Sequence, residues 1–215
     1  MAVLVCSEFC VYGAMQKLLY CVAHYLIGRY VTYWRYELIY DSVPWKNECL
    51  KLAKKLEKRY NQKKWSDRSF FNLEKEVFLG LFALRKLMES NKVTDQLKHR
   101  KVKLAVYPAN EKQITLLNQH RFPELYDLYA GQTEEISYWN ICNQFIHSSI
   151  FAPFVPFGKS LVGFYIASDR AKKEKLYYVQ LKVLVEMLES VGNNYPKSLE
   201  LTYSDKNKEY KVSSS

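Results

Sequence analysis

The chain has 215 residues, of which 48% are apolar and 25% charged, and a formal net charge of +10. These are ordinary globular proportions. They argue against a disordered chain, and a chain this long buries roughly 70% of its unfolded surface without a disulfide or metal staple.

The first stretch, residues 1–29, is apolar but broken by Glu8, Gln16 and Lys17. It lacks the basic start and unbroken run of a secretory signal. A spanning helix wants about 20 apolar residues, and Lys17 falls where the bilayer centre would be. The expectations are a packed helix, a non-native extension or a segment touching a membrane through residues 3–27. Residues 30–40 are rich in aromatic and β-branched side chains, and Trp34 and Leu38 before the Asp41 to Pro44 turn read as a short helix.

From Trp45 the period is helical. Cys49, Leu52, Ala53, Leu56 and Tyr60 form one stripe, with Lys51, Lys54, Lys55 and Lys58 on the other side. A polar loop with Lys63 and Lys64 follows, and Ser66, Asp67 and Ser69, beside Arg68, offer caps for the next helix. Leu73, Val77, Leu81, Leu84 and Met88, broadened by Phe78, Phe82 and Leu87, predict a central helix over 72–89 buried on more than one side.

The period then changes. Val102, Leu104 and Val106 alternate with lysines and Ala105, and Pro108 to Asn110 interrupts before 113–117, which predicts two strands and a turn. Residues 134–151 read as a helix ended by Pro153. Residues 161–167 and 175–181 read as a hairpin, 183–191 as a helix stopped by Gly192, and 197–212 as a last hairpin. The expected fold is α+β: one domain over 30–215 with a mainly helical core and two antiparallel β-hairpins.

The charge excess is local. Residues 46–103 hold 17 Lys or Arg against 7 Asp or Glu, so the remainder is nearly neutral. A solvated lysine face is the plain reading. The functional reading is a polyanion partner, RNA first, bound by Lys51, Lys54, Lys55, Lys58, Lys63, Lys64 and Arg68, with Trp45 and Trp65 placed to stack on bases. The five cysteines form no CxxC pair and have no histidine at zinc spacing. That predicts reduced thiols in a cytoplasmic protein, with neither metal nor cofactor.

Residues 136–151 look apolar all round, yet Asn140, Asn143 and His147 fall at helical spacing and make one polar strip. A buried strip must be hydrogen-bonded or face a cleft, since each unpaired group costs about 1–3 kcal/mol. Asn143 and His147, with Cys142 before them, resemble the motif of the HEPN superfamily of helical bundles, in which an arginine, often then asparagine, three residues and a histidine close one helix. The resemblance spans 73–151, with the 74–89 helix as its companion helix. It implies a homodimeric ribonuclease with His147 as acid or base and Asn143 orienting it. Cys142 stands where the arginine binds the scissile phosphate, so Arg85 or Arg121 would have to replace that cation. A histidine beside Arg121, His120, is a second acid–base candidate on a predicted loop. A third function class is a protein-interaction or membrane-associated structural component.

Overall fold

A computed structural model describes residues 39–215 except 111, 113, 157–159 and 205–208. The expectations for residues 1–38 therefore lie outside the described residues. The described elements belong to one compact unit, Asp41–Ser215.

Helix α1 spans Val43–Arg59, opened by Pro44 in its first turn, where the missing N–H costs nothing. Its stripe of Cys49, Leu52, Ala53 and Leu56 is buried. Helix α2 spans Asp67–Glu89, and Ser66 caps it by accepting the Ser69 N–H. It ends in a Schellman turn: Asn91 adopts φ 53°, and the Lys92 N–H donates to the Leu87 carbonyl at 3.0 Å. The helices meet at Gly80, where a Cβ would lie 2.0 Å from Leu52 Cδ2. The buried side of α2 is narrower than its sequence suggests. Leu73, Val77, Leu81, Leu84, Leu87 and Met88 are fully enclosed, whereas Phe71, Leu79 and Phe82 are exposed.

After the single turn α3 (Asp95–Lys98), capped by Thr94, comes a five-stranded antiparallel sheet. Its strands are β1 (Lys101–Pro108), β2 (Gln132–Ser137), β3 (Ser148–Phe154), β4 (Gly163–Ser168) and β5 (Lys175–Gln180), in the order β2-β1-β5-β4-β3. Helix α4 (Tyr138–Ile146) links β2 to β3, and helix α5 (Leu181–Gly192) follows β5. A two-stranded sheet of β6 (Leu199–Ser204) and β7 (Glu209–Ser214) closes the described chain. The fold is α+β.

Pairing in register puts Leu104, Val106, Phe151, Phe164, Ile166, Tyr177 and Val179 on one face of the sheet. Helices α4 and α5 pack there, and α1 and α2 pack on those helices. The core is thus shared between helices and sheet. On the opposite face, Ile150, Ala167 and Leu176 are covered by Ile114, Leu125 and Tyr126 from the segment between β1 and β2. That segment includes a 3-10 turn, Gln119–Glu124.

Three sequence expectations are corrected. Residues 134–151 are not one helix but the end of β2, α4 and most of β3. Residues 114–117 form no strand; β1 takes β2 and β5 as its neighbours. Pro153 lies within β3 rather than ending a helix, which is tolerated because β3 is an edge strand with unpaired N–H groups on one side. The expected hairpin of 161–167 with 175–181 corresponds to β4 and β5, and that of 197–212 to β6 and β7. No helix among the described residues is long and apolar enough to cross a membrane.

Candidate nucleic-acid interface

The amphipathic period of α1 turns its lysines to solvent: Lys51, Lys54, Lys55 and Lys58 are all exposed. Two are partly neutralised. Lys51 pairs with Glu48 at 2.6 Å, and Lys55 with Glu76 at 2.9 Å. Lys54 and Lys58 make no ion pair among the described residues. Exposed pairs contribute only about 0–1 kcal/mol and leave long side chains able to re-pair with a ligand. Lys63, Lys64 and Arg68 continue the surface through the α1–α2 loop and are exposed. Arg68 sits in the first turn of α2, where the macrodipole disfavours a cation, so helix stability does not explain it.

The two flanking tryptophans are both half-buried. The Trp65 indole donates to the Gln62 carbonyl at 3.0 Å, stacks on Phe70 at 5.0 Å and carries Arg59 over its ring at 5.7 Å. Trp45 lines a shallow cleft between α1 and α2 with Pro44, Leu79 and Gly80. Lys46, part of the basic excess, does not belong to this surface. It is buried, with Nζ donating to the Asn194 carbonyl at 2.5 Å and lying 3.7 Å over the Tyr195 ring. Burial, helped by nearby Lys92, lowers its ammonium pKa to about 8.

The polar strip of α4 is a separate place. Helix α2 packs on both α1 and α4. Arg85 of α2 donates from Nη1 to Asn143 Oδ1. Its guanidinium also binds Glu89 at 2.8 Å and lies 3.2 Å over Trp139, with Lys98 4.5 Å from the same ring. Arg85 and Lys86 together hold the Glu89 carboxyl below its usual range, the Lys86 hydrogen bond acting most strongly. His147 caps α4 and is exposed, and its carbonyl accepts from Asp169 N–H at 3.0 Å. Asp169 accepts from Ser149 and from Lys172, which hold its carboxyl below the usual range, with a smaller contribution from His147.

Cys142, where the HEPN-type motif places arginine, is fully buried with its thiol pushed up to about 12 by desolvation. Cys49 is likewise buried and pushed up to about 12, first by desolvation. Neither is poised as a nucleophile. His120 and Arg121 are exposed on the 3-10 turn, with Arg121 4.0 Å from Glu124. Among the described residues no group of three or more His, Cys, Asp or Glu side chains could hold a metal ion.

The aromatic side chains Tyr107, Tyr165, Tyr178 and Phe154 on the sheet face opposite α4 do not stand out in the sequence, and Tyr107 and Tyr165 pack against the core cluster there. The available signal was the period of two, which puts Tyr165 and Tyr178 opposite the buried Phe164, Ile166 and Val179. No family model, curated protein or solved structure matches this chain.

Proposed function

We propose that the protein is a non-catalytic nucleic-acid-binding module, RNA being its first candidate partner, with the exposed face of α1 and the following loop as the contact surface. The observation that carries this reading is the run of exposed cations Lys54, Lys58, Lys63, Lys64 and Arg68, which no described carboxylate neutralises in an ion pair. Lys51 and Lys55 flank it. Such a surface follows a phosphate backbone and reads little sequence.

The test is titration of labelled RNA at two salt concentrations. Affinity should fall steeply with salt, each phosphate contact adding roughly 0.7 to the logarithmic slope on a single strand. Reversing Lys54, Lys58, Lys63 and Lys64 to glutamate should abolish binding and leave the fold intact, because exposed changes usually cost under about 0.5 kcal/mol each. Wild type that fails to bind at low salt returns the charge to a solvated surface.

A second reading is a ribonuclease of the HEPN kind acting through Asn143 and His147. It is favoured by one contact: Arg85 reaches Asn143 and brings a guanidinium to the helix that lacks the motif arginine. In the same titration, His147→Ala removes cleavage and spares binding on that reading, and changes neither on the first.

A further inference from the structure

A second cleft, of about 390 Å3, opens between the head of α1, the turn that closes α2 and the link from α5 to β6. Each of the three places a lysine on its wall: Lys46, Lys92 and Lys197. Ser42 and Asn91 stand beside them. Ser42 occupies the N-cap of α1, yet its side chain makes no capping bond. None of the described residues that line the cleft is acidic. The neighbouring Asp41 turns its carboxylate to the Val43 N–H, which donates to it at 2.9 Å.

The charge of this wall is what needs a ligand. The Lys46 ammonium is buried, and its described partners, the Asn194 carbonyl and the Tyr195 ring, bear only partial charge. Lys92 repels it and adds to the lowering of its pKa by burial. A buried cation held by dipoles alone is costly, and an anion beside it offsets that cost. Lys46 acts on the cleft from behind the Tyr195 ring, through its field, whereas Lys197 is exposed at the rim. The volume exceeds what a bare oxyanion needs and falls within the range of small-molecule sites. Tyr195, 52% exposed, and Leu199 give the same cleft an apolar wall.

We propose that this cleft binds a small phosphate monoester, with its phosphoryl group among Lys92, Lys197 and Ser42 and its organic part against Tyr195 and Leu199. A phosphate monoester carries nearly two negative charges near neutral pH, which matches a wall of several ammoniums better than a single carboxylate does. The site shares no residue with the α1 face described above, so it stands or falls independently of nucleic-acid binding.

The experiment titrates phenyl phosphate and inorganic phosphate into the full chain at constant ionic strength, by isothermal titration calorimetry. The variants are Lys197→Gln, Tyr195→Leu and the quadruple reversal of Lys54, Lys58, Lys63 and Lys64, each checked for fold by circular dichroism. Wild type should bind phenyl phosphate at one site and more tightly than inorganic phosphate. Lys197→Gln should weaken both about ten-fold or more, the scale of one charge-assisted hydrogen bond. Tyr195→Leu should erase the preference for the aryl ester, and the quadruple reversal should change neither affinity. Lys197 is exposed, so its variant keeps the test decisive if Tyr195→Leu does not fold. No binding of phenyl phosphate at millimolar concentration overturns the proposal, as does unchanged affinity in Lys197→Gln. Loss of binding in the quadruple reversal also overturns it, by locating the anion on α1. Equal wild-type affinity for the two ligands overturns the assignment of an ester.

Discussion

Lys46 shows how far a charge can be misassigned by its position in sequence. It follows Trp45 at the head of the basic stretch, yet its ammonium sits inside the fold at the carbonyl of Asn194. Asn194 lies just beyond α5, and its side chain accepts the Thr94 N–H at 2.7 Å and donates to Thr94 Oγ1 at 3.1 Å. One lysine and one asparagine thus tie α1, the end of α5 and the start of α3. The ammonium is desolvated and its pKa falls from 10.5 to about 8. The sign follows from proton counting: between those values the unfolded chain holds the proton and the folded chain does not, so stability rises with pH. Unfolded tyrosines begin to ionise near pH 10, whereas burial pushes Tyr126 well above its usual value, so above that pH a loss sets in. Wild type should therefore gain about 2 kcal/mol relative to Lys46→Met between pH 8 and 10. Denaturant unfolding at three pH values measures it, and parallel curves for the two proteins would contradict the assignment.

At the scale of elements, what was legible in the sequence depended on whether one period governed a segment. Helices α1, α2 and α5 and the β4–β5 hairpin each keep a single period along their length, and each is readable. Residues 134–151 do not. Ile136 points from β2, Ile141, Cys142 and Phe145 from α4, and Ile150 and Phe151 from opposite sides of β3. Taken together they mimic a helix apolar all round, although no single element is. The break lies at Ser137, which caps α4 by accepting the Asn140 N–H. The lysine surface was legible because it only requires exposure. The contact of Arg85 with Asn143 and the tyrosine cluster of the sheet were harder to see, because both depend on strands and helices distant in sequence. The tyrosine cluster lies beside a close approach at Gly163. A Cβ there would lie 2.6 Å from the Val179 carbonyl of the paired strand and 2.9 Å from the Tyr178 ring. The obstacle is backbone, which cannot turn aside as a side chain can. Gly163→Ala should cost about 1–3 kcal/mol, the range for overpacking a tight site, and should displace Tyr178. A thermal melt reads the first effect and near-ultraviolet circular dichroism of the tyrosines the second; a variant as stable as wild type would show that the two strands have room to part.

For the whole molecule, the question is whether Asp41–Ser215 carries its own stability. Its helices and sheet enclose one another's largest apolar side chains: Leu56, Leu81, Leu84, Phe145, Phe164, Leu184 and Leu188 are all fully buried. Each such side chain contributes about 1.5–3 kcal/mol by leaving water. Against this stands conformational entropy of similar total size, so the net is a small difference and a missing element would show at once. The unit is compact by its own contacts, and a domain of this length is within the range that folds alone. A chain starting at Tyr30 should therefore be soluble and unfold in one cooperative transition, with calorimetric and van't Hoff enthalpies in agreement. On the proposed binding reading it should also keep the nucleic-acid affinity of the full chain, since α1 and its loop lie beyond residue 40. Aggregation, or a melt without a transition, would mean that residues before Tyr30 complete the core. A folded truncation that loses binding would instead assign them to the ligand surface.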